Sequence, residues 1–385
     1  MIAASESQVL PDYTSESSLY ALSCSIAEFF GVKRNCITSR RLGFGGRRLA
    51  LIYLDALSWD LFLDANVRLS GKVIKGVTVF PSTTAAALST LMTAQSPGEH
   101  GLVGYTVFNK VLGGVINSIK YSYMAEPGSG TISYRPLSRA FPVKPWLAET
   151  EAKVTALMSS GAASGELTRT YLNSRVSEGL TTIKAHSNLY DMIASMREAL
   201  EGDAVDMLYV YFDDPDHIGH GYGFDSPHRD LVLDEVRTAL SYLDKLAQKY
   251  KDRYTFVLMS DHGQVTVNKV YLFNNDQQLL DALEVPPYGD SRAVWFRARE
   301  NLRELLKSKY ALNVMSKQEL IESGLLGRVD PFVERNIIGD YLGVATDESS
   351  KYHYAYRDDD PALRLRGNHS GLSPKEMYIP IVVWE

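Results

Sequence analysis

Six acids and imidazoles have types and spacings that suit metal-assisted hydrolysis. Asp55 closes the apolar run RLALIYLD (48–55). Asp216 and His220 stand as Asp-x-x-x-His within YFDDPDHIGHG. Four residues apart on a helical turn means one face, so both can touch one ion. Asp261 and His262 are adjacent at the end of YTFVLMSDHG. Neighbouring residues diverge in regular structure, but the following Gly263 suggests a turn in which both can serve one ion. His369 lies in the glycine-flanked loop GNHSG, where the backbone can bend towards a site.

Mixed imidazole and carboxylate donors suit zinc, or manganese or iron, whereas magnesium and calcium prefer oxygen alone. Six such ligands exceed one tetrahedral zinc and nearly fill two sites. A hydroxyl from PSTT (Ser82, Thr83 or Thr84) would complete the set. Metal coordination would lower that hydroxyl's pKa and make it a nucleophile at neutral pH. Each piece has a plainer reading. A strand-end Asp serves as a helix cap or turn residue. PSTT serves as a helix start, and His369 as a structural loop residue. The order and context of all the pieces together favour chemistry.

The elements that must position these residues read as an α/β fold. The runs 48–55, 73–80, 206–214 and 254–263 look like buried strands that deliver polar residues at their ends. Open α/β sheets place ligands outside the carboxyl ends of such strands. The small-residue run AAALSTLMTAQ after PSTT reads as a helix, as do 187–201 and about 227–250. GGVINSIKYSYM (113–124) and KVTALMS (153–159) read as strands. Residues 1–46 look like an N-terminal arm, with a helix capped by Ser15 or Ser17 and running to about Phe30. Leu19, Leu22, Ile26 and Phe29 or Phe30 would share its buried face. Residues 275–350 lack strand-to-acid junctions and are expected to form a smaller inserted lobe. The metal-binding core then takes 47–274 and 351–385.

The bulk composition bounds partners. The chain has 385 residues, 45% hydrophobic and 22% charged, with net charge −6. That describes a globular protein, and a mildly acidic one does not bind long nucleic acid by bulk electrostatics. Cys24 and Cys36 are the two cysteines, too few for a disulfide framework, and the sequence does not decide whether they pair. The first 30 residues lack a basic start followed by an apolar core, and no apolar run approaches the roughly 18 residues of a membrane span. The expectation is a cytoplasmic protein with no membrane partner. Oligomeric state is not legible.

The ordered set Asp55, FPSTTAAALSTLMTAQSPGEHG, YVYFDDPDHIGHGYG, LMSDHG and GNHSG resembles the alkaline phosphatase superfamily, and within it the nucleotide pyrophosphatase and type I phosphodiesterase branch. The resemblance runs from about residue 49 to 272 and resumes at about 364–385. It implies an alkaline-phosphatase-like, mostly parallel central sheet flanked by helices, with a smaller inserted lobe. It also implies two divalent metal ions, zinc first. Asp216, His220 and His369 would hold one ion; Asp55, Asp261, His262 and the Thr84 hydroxyl would hold the other. Thr84 is the implied nucleophile because the family's lies four residues after the Phe of its opening motif, here Phe80. His100 in SPGEHG matches a residue that belongs to the family's fold and is not a ligand.

The implied reaction is hydrolysis of phosphodiester or nucleotide pyrophosphate bonds through a covalent phospho-threonine. The substrate would be a small phosphorylated molecule such as a nucleotide. One departure stands out. Diesterases of the family commonly carry an Asn three residues after the nucleophile, and this chain has Ala87. Tyr105, Asn109 and Lys110 are candidates to replace that donor, against the plainer reading that all three are surface residues. Rival readings are a phosphomonoesterase or phosphomutase on the same scaffold and, more weakly, a non-catalytic binding module. A sulfatase is disfavoured because PSTTAAA lacks the Pro and Arg pattern that follows a sulfatase nucleophile.

Overall fold

Leu49–Leu54 (LALIYL) is buried at every position, which an apolar strand can be only when both sheet faces are covered. Its side chains divide with period two. Leu49, Leu51 and Tyr53 join a core cluster with Leu19, Leu22 and Leu91, while Ala50, Ile52 and Leu54 join another with Met192, Val236 and Leu240. These relations come from a computed structural model that describes residues 8–126, 128, 130–202, 205–225 and 227–385.

The central sheet has seven strands in the order Lys72–Val77, Tyr378–Trp384, Thr255–Met259, Leu49–Leu54, Met207–Phe212, Val154–Ser159 and Thr181–His186. Neighbours pair in parallel except Tyr378–Trp384, which runs antiparallel to both of its partners. The carboxyl ends of the parallel strands and the start of Tyr378–Trp384 therefore share one rim. Helix Arg229–Tyr250 covers one face with Val232, Val236, Leu240, Leu243, Ala247 and Tyr250, a stripe of three- and four-residue steps.

The other face is covered partly by the N-terminal segment. Helix Leu19–Phe29 is buried from Leu19 to Ala27, on all sides and not on one face alone. Its cap is Ser18, whose hydroxyl accepts from Ala21 N at 3.1 Å, and neither Ser15 nor Ser17. Those two are bonded to each other at 2.9 Å in the turn before it. Ser23 donates to the carbonyls of Thr90 and Leu91, tying this helix to helix Thr84–Thr93. Cys24 and Cys36 form a disulfide. Among the described residues no helix is long and apolar enough to cross a membrane.

A second seven-stranded sheet draws on two parts of the chain. Residues 275–350 supply Leu312–Ser316, Tyr341–Ala345, Ala293–Phe296 and Tyr288–Gly289. Thr106–Asn109, Gly114–Asn117 and Ser122–Tyr123 continue it. The join is at Gly289 and Thr106, whose hydroxyl reaches Gly289 O at 3.0 Å. The 113–124 segment is thus a hairpin and not one strand. Asn117 Oδ1 accepts from the N–H groups of Ile119 and Lys120 at 3.0 and 2.9 Å and closes the turn, a habit of Asn side chains.

The seam between the sheets holds a buried ion pair. Arg292, just before Ala293–Phe296, donates to Glu376 at 2.7 Å, just before Tyr378–Trp384. Its remaining donors meet Ser350 O and Asp347 O, both at 2.7 Å. Glu376 also accepts from Gly371 N at 2.8 Å, and Arg292 N donates to Ser370 Oγ at 3.2 Å, so the pair fixes the loop that carries His369. Removing one partner of such a pair leaves a buried, uncompensated charge. Arg292→Met is expected to lose about 3–5 kcal/mol of stability, read as a lower denaturation midpoint in urea. A loss under about 1 kcal/mol, the range of exposed pairs, would contradict this role.

Candidate active site

Five chain segments meet at the rim. Asp55 follows strand Leu49–Leu54. Asp261 and His262 follow Thr255–Met259. Asp216 and His220 lie on helix Asp214–Tyr222, which follows Met207–Phe212. The segment after Lys72–Val77 leads into Thr84, and the loop before Tyr378–Trp384 brings His369. The structure thus draws all seven residues singled out in the sequence together.

Distances within the cluster are short. His262 Nε2 lies 3.1 Å from Asp261 Oδ2 and 3.6 Å from Asp55 Oδ1. Thr84 Oγ1 is 3.2 Å from the same Nε2. His220 Nε2 is 3.3 Å from Asp216 Oδ2. The His262 and His369 rings stack with centroids 3.8 Å apart. Two groups have donor atoms mutually within 4.8 Å: Asp216, His220 and His369, and Asp55, Asp216 and His262. Asp216 belongs to both and lies between them, although the resemblance gave it to the first alone.

The tethering of these side chains is consistent. His220 Nδ1 meets Gly367 O at 2.8 Å, His262 Nδ1 meets Gly263 O at 3.1 Å, and His369 Nδ1 meets Ser82 O at 3.0 Å. A carbonyl only accepts, so each Nδ1 carries the proton and each Nε2 presents its lone pair to the centre. The carboxylates divide in the same way. Tyr211 donates to Asp55 Oδ2, Ala56 N to Asp261 Oδ1 at 3.1 Å, and Gln264 to Asp216 Oδ1. The buried Asp55 Oδ1 and Asp261 Oδ2 are left without a hydrogen-bond partner among the described residues. Glycines permit the packing. A β-carbon at Gly367 would fall 2.2 Å from Gly219 O, and one at Gly263 would fall 2.0 Å from Lys375 O.

Three carboxylates gathered at low exposure need positive charge. Burial, then Asp261 and Asp216, holds the Asp55 carboxyl well above the usual carboxylate range. Burial opposes charge on His220, yet Asp216 lifts that imidazole to about 9. Burial likewise opposes charge on His262, and Asp261 more than offsets it. The acids therefore favour a second proton, on Nε2, for His220 and His262, whereas burial and then His262 hold His369 well below the usual imidazole range; a divalent cation on the Nε2 lone pairs would take the place of those protons. Orphaned oxygens, free Nε2 lone pairs and a mixed donor set all fit zinc, manganese or iron.

Of the three hydroxyls in PSTT, two are engaged elsewhere. Ser82 donates to Gly371 O at 2.8 Å, and Thr83 bonds the Asp290 carboxylate. Thr84 faces the imidazole of His262 at the first residue of helix Thr84–Thr93. That end of a helix stabilises negative charge on a ligand. Ala87 is fully buried one turn further on. Among the proposed replacements, Tyr105 lines the cavity above Thr84. Asn109 is buried, not a surface residue, and is used up structurally: its amide donates to Ala140 O and its oxygen accepts from Val111 N. Lys110 is exposed and is not among the lining residues. His100 is buried and bonded to Thr90 and to Leu102 N, with burial pushing it down to about 3, as suits a residue of the fold.

The cavity has a volume of about 550 Å³ and runs from Thr84, Asp216, His220 and His369 to Lys120, Tyr123, Tyr354, Tyr356 and Arg357. Its outer wall, residues 356–366, is latched by Lys351, which donates to the carbonyls of Ala362, Leu363 and Leu365, and by His353 against Asp360 at 3.0 Å. Sequence reasoning missed Tyr211, Gln264 and Asp290. Tyr211 reads as one more apolar strand residue, Gln264 carried the weak signal of following SDHG, and Asp290 carried none.

A family model described as type I phosphodiesterase / nucleotide pyrophosphatase matches residues 49–358. Human ectonucleotide pyrophosphatase/phosphodiesterase family member 5 is 24% identical over 243 residues, 60% of this chain and 48% of that protein. The chain spans about half the length, or less, of the curated relatives it matches. The solved structure of murine ectonucleotide pyrophosphatase/phosphodiesterase 5 superposes with a TM-score of 0.64 at 18% identity, covering 87% of each chain. An inactive threonine-to-alanine form of it has been solved in complex with AMP. Phosphonoacetate hydrolase from Sinorhizobium meliloti 1021 superposes with a TM-score of 0.60 at 16% identity, covering 88% of this chain and 89% of that one. At such identities the superpositions speak for a shared fold. The family model, by contrast, takes in most of the chain, from the first core strand to the outer wall of the cavity, and this protein belongs to the type I phosphodiesterase / nucleotide pyrophosphatase family.

Proposed function

We propose that this protein hydrolyses phosphate esters, with phosphodiester or nucleotide pyrophosphate bonds as its substrates and Thr84 as its nucleophile. The observation that carries the reading is the shared tethering pattern. Three imidazoles and three carboxylates each spend one atom on the protein and keep one for a common centre beside Thr84. Family membership and the AMP complex of a related protein, inactive once a threonine is replaced, support it.

Asp216, His220 and His369 would hold one divalent ion, and Asp55, Asp261, His262 and Thr84 the other. Two such ions, zinc first and manganese or iron as alternatives, would supply Lewis-acid stabilisation of the attacking and leaving oxygens. Thr84 oxygen attacks phosphorus as the bond to the leaving oxygen breaks, giving phospho-Thr84. Water then cleaves that ester and returns the hydroxyl. The N-terminus of helix Thr84–Thr93 favours the negative charge carried through both steps. The cavity beyond Tyr105 has room for the second ester group. For the compartment, the Cys24–Cys36 bridge supports an oxidising one and weighs against the cytoplasmic expectation.

Three measurements test this reading. Thr84→Ala is expected to lower turnover of a nitrophenyl phosphodiester by roughly 10³-fold or more while the protein stays folded. Undiminished turnover would remove Thr84 from the mechanism. Chelation is expected to abolish activity and lower the melting temperature, with zinc or manganese restoring both. Activity that survives exhaustive metal removal would contradict the two-ion site. Gln264→Leu, which frees Asp216 from its tether, is expected to weaken metal binding by about 10–100-fold in a competition titration; an unchanged affinity would show that the tether plays no part.

A further inference from the structure

We propose that Asp290 is a charge filter that makes this site prefer singly charged phosphodiesters to doubly charged monoesters. The inference rests on the phosphate-ester reading above and names the selectivity of that same site.

Asp290 sits in the turn between Tyr288–Gly289 and Ala293–Phe296, and its side chain lines the cavity together with Thr83, Thr84 and Tyr105. It is held there from two sides. Oδ2 accepts from Tyr105 N at 2.8 Å, and the Thr83 hydroxyl donates to the carboxylate. His262 and His220 lie within its electrostatic reach. Among the described residues no Lys or Arg forms an ion pair with it. Of the cations that line the cavity, Lys351 is engaged on three carbonyls and Arg357 on Asp359 at 3.1 Å, while Lys120 is exposed and forms no ion pair with Asp290 among the described residues. A fixed negative charge beside the nucleophile is unexpected in a site built to bind an anion, because it opposes every phosphate that enters.

That opposition is not equal for all phosphates. A monoester loses its second proton near pH 6 and is a dianion at slightly alkaline pH, whereas a diester has one negative charge only. A neighbouring unit charge discriminates between them by about tenfold or more at the separations and effective dielectric of a partly buried site. Repulsion of the wrong ligand is a standard route to specificity. The plainer role, an anchor for the Tyr105 backbone, needs only an acceptor oxygen and no charge. Asp290→Asn separates the two, since it keeps an acceptor for Tyr105 N and nearly the same volume while removing the charge.

The test measures kcat/KM for matched nitrophenyl diester and monoester substrates, and inhibition by inorganic phosphate, with metal-loaded protein at pH 8. That pH lies above the value of about 6 to which burial lifts the Asp290 carboxyl. In Asp290→Asn the monoester-to-diester ratio is expected to rise by about tenfold or more, with phosphate inhibiting more tightly to a similar degree. Asp290→Ser is expected to move both in the same direction, and Asp290→Glu to keep the low ratio. Melting temperature and metal content identify a variant that has lost its fold, and the Ser variant then decides. A ratio unmoved in folded, metal-bearing Asn or Ser variants would overturn the filter and leave the hydrolase reading standing. Wild-type protein that binds metal yet hydrolyses neither ester would overturn the reading itself.

Discussion

Three carboxylates brought within a few ångströms of one another at the rim of a sheet repel, and each loses hydration as it is buried. Asp55, Asp216 and Asp261 are in that position, with Asp55 and Asp261 almost wholly shielded from solvent. Such a cluster is tolerable only when fixed positive charge is supplied. The rest of the local structure follows from that need. Three imidazoles are turned by backbone carbonyls so that the same ring nitrogen of each faces inward, and each carboxylate is held by one oxygen so that the other is free.

The fold makes this convergence possible with few special devices. Parallel strands deliver Asp55, Asp261 and the start of helix Asp214–Tyr222 at one edge. The single antiparallel strand, Tyr378–Trp384, lets a loop close to the C-terminus reach the same edge from the opposite chain direction. The buried pair of Arg292 and Glu376 then locks that loop to the second sheet, so His369 and the cavity wall are positioned by one interaction. The second sheet contributes no member of the metal cluster. It supplies Tyr105, Tyr123 and Asp290, which line the cavity that opens beyond Thr84.

Much of this was legible in the sequence because the signals were local. Buried strands ending in acids, an Asp-x-x-x-His spacing and glycine-flanked turns are short-range patterns, and the geometry gathers the six acids and imidazoles they singled out together with Thr84, which the family resemblance picked from the three hydroxyls of PSTT. What escaped depended on contacts distant in sequence. The second sheet joins residues near 106 to residues near 289 through a single pairing, which no local periodicity announces. Tyr211 looks like one more apolar strand residue until its hydroxyl is seen against Asp55. The hairpin at 114–123 was hidden because its turn rests on the Asn117 side chain within a strand-like run that holds no Pro or Gly between Val115 and Tyr123. The N-terminal helix seemed an arm because its buried polar residues, Ser23 and Ser25, are satisfied by backbone carbonyls and do not face solvent.

The measurement that tests the central claim most directly is anomalous scattering from crystals of the zinc- or manganese-loaded protein, recorded above and below the metal's absorption edge. Two peaks are expected, one among Asp216, His220 and His369 and the other among Asp55, Asp261, His262 and Thr84. A single peak, or none at this rim with the protein fully folded, would contradict the account of a two-ion centre built around three buried carboxylates.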